Sequence, residues 1–518
     1  MIIKNSKYIA LAFSALGFVA CNDDPLPTGT EIEEAAAVEV SAGSADFSKY
    51  VAIGNSLTAG FMDGALYIAA QENSFPNQLA QQFAKVGGGE FTQPLMADNI
   101  GGITLGGNRI QEPRLVFGGA GPVPLESIVG PVMPGTALGA NDPTGPFNNM
   151  GVPGAKSFHL LANGYGNIAN VPTGLANPYF ARMTGSTPDA SMIELAAGQA
   201  PTFFSLWIGN NDVLSFATSG GAGVDQKGNP DASTYGGNDI TDPGLFAQVY
   251  AGLAQTLTAN GAKGIVSNIA DVTSIPFFTT VPHNPVPLDE ATAGAVNQAY
   301  AAYNGGLQQA LAALAGTGLL TQEEVDRRTI SFSAGTNNAV VIIDEDLTDL
   351  GAINPAFAAL PKLRQATADD LLVLPAASFI GTLADPNNPL SVNGVAVALA
   401  DNWVLTPEEQ ALIADATAAF NATIASVASS NDLALLDSNT LLRQLTESGV
   451  PFGNFTLTGN LVTGGAFSLD GVHPGARGYG LTALEALRAI DSKYGSNFIL
   501  AGAVPNAGDL PTNFSPTL

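Results

Sequence analysis

Four short stretches of this chain carry residue types that could do chemistry together. The first is Tyr50-Val51-Ala52-Ile53-Gly54-Asn55-Ser56-Leu57, an apolar run that stops on a serine just past a glycine, with Gly60 closing the turn. Apolar residues ending at a glycine read as a short buried strand, so Ser56 stands where strand gives way to turn. A nucleophile occupies such a place, and so does an ordinary turn serine. The second stretch is Asp470-Gly471-Val472-His473. The chain has three histidines, His159, His283 and His473, and His473 is set apart by a carboxylate three residues before it across a glycine. That spacing lets Asp470 reach the imidazole and orient it. A hydroxyl, a base and an orienting carboxylate are the parts of an activated nucleophile. His159 and His283 are assigned to structure or solvent.

The other two stretches offer polar groups for an anion. Thr202 to Ile208 is a second apolar run and ends in Gly209-Asn210-Asn211-Asp212. Ligands of open α/β sheets bind outside the carboxyl ends of strands, which is where these amides fall. In Gly151-Val152-Pro153-Gly154-Ala155, Gly154 follows a proline turn just before a possible helix start, where a backbone N–H can point outward unpaired. A plain Pro-Gly turn is the alternative for that segment alone.

Strands and helices must hold these four stretches in place. Glu72 to Val86, Phe246 to Asn260 and Asp289 to Leu314 show helical spacing of apolar residues, and Thr406-Pro407-Glu408-Glu409 opens a further helix with a capping box. Gly264 to Ile269, Val340 to Asp344 and Leu433 to Asp437 read as strands. Strand alternating with helix predicts a parallel sheet covered by helices. Three Gly- and Pro-rich or weakly patterned segments, 87–148, 213–244 and 316–404, are expected as insertions in one domain spanning 46–518, the first two as walls of a substrate cleft. Phe61, Phe91, Phe117 and Leu125 are candidate apolar wall residues.

Composition narrows the function. Across 518 residues, 18 Lys and Arg face 45 Asp and Glu, a formal net charge of -27. That charge repels nucleic acid and excludes a broad patch for anionic lipid. No His/Cys cluster at ligand spacing exists, so no metal and no cofactor are expected. Lys4 and Lys7 precede an apolar run, Tyr8 to Ala20, too short to span a bilayer, and the chain's single cysteine, Cys21, follows it. Residues 1–20 are therefore read as a signal peptide and 21–45 as a polar tether. Phe18-Val19-Ala20-Cys21 resembles the lipobox of bacterial lipoproteins, and Asn22-Asp23-Asp24 resembles surface-export signals of Bacteroidetes lipoproteins. The resemblance implies lipidation at Cys21 and an envelope protein anchored by acyl chains in the outer membrane, surface exposure being what the Asn22-Asp23-Asp24 resemblance implies. A monomer is expected.

Taken together, the four stretches resemble the SGNH hydrolases, also called the GDSL esterase/lipase family. Gly54-Asn55-Ser56-Leu57 is similar to its nucleophile block, Gly154 to the glycine of its second block, Gly209-Asn210-Asn211-Asp212 to G-x-N-D, and Asp470 to His473 to D-x-x-H. The resemblance implies a three-layer α/β/α fold with a central parallel sheet of flavodoxin-like kind. It also implies ester hydrolysis by a Ser56-His473-Asp470 triad, with an oxyanion hole from the N–H groups of Ser56 and Gly154 and the Asn211 amide. Asn55 departs from the family pattern, which has Asp there. Lipase-like acyl hydrolysis and carbohydrate deacetylation both fit the resemblance, and a non-catalytic glycan- or lipid-binding lipoprotein of the same fold is the reading from another class.

Overall fold

The computed structural model describes residues 38–518. The signal peptide, Cys21 and most of the expected tether lie outside the described residues. Five parallel strands form the central sheet: β1 (Tyr50–Gly54), β2 (Asn149–Gly151), β3 (Phe203–Trp207), β4 (Lys263–Ser267) and β5 (Ala434–Leu436). Their spatial order is β5-β4-β3-β1-β2, with Tyr50 beside Phe203, Gly54 beside Trp207 and Ile53 beside Met150. The chain therefore leaves β1 toward one edge and, after β2, builds outward on the other side. In a doubly wound sheet of this order, the carboxyl ends of β1 and β3 flank the switch point where ligands bind.

Successive side chains of these strands go to opposite layers, as the pleat requires. Tyr50, Ala52, Phe203, Trp207 and Ile265 face one apolar cluster, while Val51, Ile53, Phe204, Leu206 and Val266 face the other. Both faces are thus buried, which explains why β1 and β3 read as near-continuous apolar runs, broken only at Ser205, whose hydroxyl pairs with the Tyr50 hydroxyl at 2.8 Å. Seven helices matter for the site: α1 (Ser56–Ala59), α2 (Phe75–Phe83), α3 (Asn211–Thr218), α4 (Pro243–Thr258), α5 (Glu290–Ala313), α6 (Pro407–Ser430) and α7 (Ala476–Tyr494). Phe75, Leu79 and Phe83 of α2 join Tyr479, Leu487 and Ile490 of α7 in the first layer. Phe246 and Leu253 of α4 join Phe420 and Ile424 of α6 in the second, with the Phe246 and Phe420 rings stacked at 4.1 Å. The result is an α/β/α arrangement.

Local signals set the helix ends. Thr406 caps α6, accepting the Glu409 N–H while the Glu409 carboxylate accepts the Thr406 N–H at 2.7 Å. The helix expected from Glu72 instead starts at Phe75, because Ser74 takes the cap and Pro76 fits the first turn. Val340 to Asp344 also differs from expectation. Val341–Ile343 pairs antiparallel with Leu363–Gln365 and stays out of the central sheet. Segment 316–404 contributes to three such two-stranded ribbons, including Gly335–Asn338 with Val286–Leu288 and Leu371–Leu372 with Val404–Leu405.

Candidate active site

Ser56 opens α1 directly after β1. Asn55 caps this short helix through its side-chain oxygen, which accepts the Leu57 N–H at 3.0 Å, and its amide nitrogen donates to Asn210 Oδ1 at 3.4 Å. The departure at Asn55 therefore has a structural use: an amide accepts on one side and donates on the other, linking the β1 turn to the loop after β3. A carboxylate could do only the first. The turn is tight enough to demand glycine on two strands. A Cβ on Gly54 would come within 2.2 Å of Trp207 O, and one on Gly151 would come within 2.2 Å of Ala59 N.

His473 arrives from the loop ahead of α7. Ser468 N–H bonds to His473 O at 2.8 Å, and Gly471, at φ +71°, turns the chain between them. This closed loop points the imidazole at Ser56, with Nε2 and Oγ 2.9 Å apart. Nδ1 lies 2.9 Å from Asp470 Oδ2. Asp470 is held as an acceptor by the Val472 and His473 N–H groups and the Ser468 hydroxyl on Oδ1, and by the Gly64 N–H on Oδ2. Burial pushes its carboxyl up, but the His473 charge and these bonds outweigh it and hold the pKa at about 2. An ionised Asp470 fixes the ring proton on Nδ1, which leaves Nε2 to accept the Ser56 proton. The Phe61 ring, 4.7 Å from the imidazole, packs its side.

Asn211 begins α3, and its Nδ2 donates to Ala155 O at 2.9 Å. This bond ties α3 to the turn that holds Gly154, whose φ is +80°. Asp212, fully buried, accepts from the Ser157 N–H and hydroxyl and completes that tie. Ser56, Asn211 and His473 line one cavity of about 100 Å³. Gly154 is one residue from the Asn211 contact but does not itself line the cavity. The Ser56 N–H, at the first position of a helix, has no intrahelical acceptor. Among the described residues, none accepts the Gly154 N–H.

The cavity walls differ from those expected. Trp207, Leu214, Ile275, Leu442 and Phe467 line it, and no residue of 87–148 does. That segment folds into small antiparallel ribbons, Ile103–Leu105 with Asn108–Gln111 and Leu115–Phe117 with Pro122–Pro124. It buttresses the site from behind, where the Leu115 N–H bonds to Asp63 O at 2.7 Å. Phe91 stacks on Tyr50, at the end of β1 away from Ser56, Phe117 is exposed and Leu125 is buried elsewhere. Of 213–244 only Leu214 reaches the cavity, because the rest closes on itself through Asp239, which accepts the Val224 and Gly236 N–H groups.

One residue at the site had no signal in the sequence. Asp63, 3% exposed, accepts the Tyr67 hydroxyl at 2.6 Å and the Leu469 N–H at 2.9 Å, and its own N–H donates to Ser468 Oγ. Ser468 in turn donates to Asp470. Asp63 therefore braces the loop that carries the carboxylate and the histidine. His159, as assigned, is structural: its ring stacks on Tyr165, Nδ1 accepts the Lys156 N–H, and burial together with the Lys156 charge lowers its pKa to about 4.

No family model, curated protein or solved structure matches this chain.

Proposed function

We propose that the chain is a serine ester hydrolase of the SGNH kind, acting through an acyl-enzyme intermediate on carboxylic esters with short acyl chains. The observation that carries this reading is the unbroken line Ser56 Oγ, His473 Nε2, Nδ1 and Asp470 Oδ2, two contacts of 2.9 Å each, opening into an apolar cavity. In the proposed reaction Ser56 Oγ attacks the ester carbonyl as His473 takes its proton. The imidazolium, stabilised by ionised Asp470, returns that proton to the leaving alcohol. The carbonyl oxygen, now negative, is met by the Ser56 N–H and the Asn211 amide, with Gly154 as the third donor. Water then repeats the cycle on the acyl-serine.

The cavity favours an acyl chain over a sugar, because its wall is mainly aliphatic and aromatic. Its volume of about 100 Å³ lies below the roughly 150 Å³ known to hold a benzene ring, which sets the scale at a few carbons. The test is a panel of p-nitrophenyl esters from acetyl to palmitoyl, run on the full chain and on Ser56→Ala. Rates are expected to be highest on the short esters and to fall by a factor on the order of 10⁴ or more in Ser56→Ala. Equal rates in the two proteins, or none with any ester, would sink the proposal and leave a binding protein built on the same fold.

A further inference from the structure

Away from this site, three carboxylates from separate stretches of the chain converge. Glu345 follows the Val341–Ile343 strand, Asp401 stands at the end of segment 316–404, and Glu409 lies in the first turn of α6. One oxygen from each lies within 4.8 Å of the other two. Among the described residues no cation pairs with any of the three carboxylates. Arg327 and Arg364 engage Asp344, Arg364 also engages Asp370, and the Lys362 ammonium donates to the backbone oxygen of Glu345.

Glu409 is the member that points to a ligand. It is 5% exposed, and its Oε2 is occupied by the Thr406 N–H, while Oε1 is buried with no hydrogen-bond partner. A buried carboxylate with one oxygen left unpartnered, set within reach of two further carboxylates, is a strong demand for positive charge.

We propose that Glu345, Asp401 and Glu409 bind a calcium ion that pins segment 316–404 to α6. The donors are all oxygens, with no imidazole or thiolate, which selects a hard cation. At bond lengths of about 2.4 Å, one calcium ion reaches oxygens up to about 4.8 Å apart, and it fills its remaining positions with water through the exposed Glu345 side. Magnesium, which demands a near-ideal octahedron and sheds water reluctantly, suits three converging side chains less well. The same point also meets the end of α3. A Cβ on Gly220 would come within 2.2 Å of Asp401 O, and one on Gly221 within 1.6 Å of Glu409 Oε1, so the loop after α3 is packed directly on the cluster. Calcium here would stabilise the packing of three elements and take no part in the chemistry at Ser56.

The test is calorimetric titration of the full, chelator-treated chain with calcium chloride, paired with thermal unfolding followed by circular dichroism. One saturable site is expected, with a dissociation constant on the order of 10⁻⁴ M and a Tm raised by a few degrees at roughly hundredfold excess. Glu345→Gln, at an exposed position, and Asp401→Asn should each weaken binding at least tenfold while the protein remains folded. Glu409→Gln should abolish it, but that change also alters the α6 cap, so the first two variants decide. No saturable binding to the wild type, unchanged affinity in Glu345→Gln and Asp401→Asn, or equal affinity for magnesium would each overturn the proposal.

Discussion

Asp470, in the loop ahead of α7, and Glu409, in the first turn of α6, are both carboxylates with little solvent contact, and the protein treats their charge in opposite ways. Around Asp470, four N–H or O–H groups and the His473 ring converge, and the pKa falls to about 2 although burial alone would raise it. Around Glu409, burial raises the pKa to about 8, the Thr406 N–H opposes it, and the Glu345 carboxylate adds to the rise. Burial is common to both, so donors make the difference. A carboxylate given enough fixed donors stays ionised in the interior, whereas one set among other carboxylates needs a proton or a cation. The first arrangement suits a group that must stay negative while a neighbouring imidazole gains and loses charge.

The largest effect expected from breaking this contrast is at Asp470 itself. Asp470→Asn keeps the size but removes the charge and no longer enforces the Nδ1 proton, so kcat on the best p-nitrophenyl ester should fall by a factor on the order of 10³ to 10⁴. A loss under tenfold would mean that the donors around Asp470 serve folding alone. A smaller effect is expected at Asn211. Removing one oxyanion donor by Asn211→Ala should lower kcat by a factor on the order of 10² to 10³ with little change in KM. Asn211 also donates to Ala155 O at 2.9 Å, and Asn211→Asp is the companion variant: it keeps the size but loses the donor to the oxyanion and the one to Ala155 O alike, and should lose at least as much. Full activity in Asn211→Asp would remove that amide from the oxyanion hole.

The two regions also differ in how much of them can be read from sequence. Ser56, Asn211 and His473 sit at strand ends or in a loop before a helix, and each is flagged by a nearby glycine, so period and punctuation locate them. The helix-covered parallel sheet follows from the same runs, since β1 and β3 are apolar on both faces. Pairing in the ribbons is another matter. Val341–Ile343 looks like a sheet strand because apolar runs do not state their partner, and it joins Leu363–Gln365 instead. Segment 87–148 shows no period because short ribbons and turns have none, so its place behind Asp63 rather than in the cleft has no local signature. The Glu345, Asp401 and Glu409 cluster spans more than sixty positions of irregular chain, and a search for His/Cys spacing passes over it.

Asp63 lies between the two extremes and yields the smallest and most specific effect. It has two donors, the Tyr67 hydroxyl and the Leu469 N–H, and these do not offset its burial and the nearby charge of Asp470, so its pKa rises to about 6. The folded state therefore holds this proton more tightly than the unfolded chain, whose Asp titrates near 3.9. Its contribution to stability is fully present below about pH 4 and is lost as pH rises through about 6. Asp63→Asn is neutral at every pH and keeps an oxygen for the Leu469 N–H. Urea unfolding at intervals from pH 4 to pH 7 should give similar stabilities for the two proteins at the acid end. The variant should gain on the wild type by on the order of 1–3 kcal/mol at the neutral end. Groups other than Asp63 titrate alike in both proteins and cancel in the difference. A difference that stays flat with pH would mean that two donors already suffice to hold a buried carboxylate ionised, and the contrast between Asp470 and Glu409 would then have to rest on repulsion from Glu345 rather than on the number of donors.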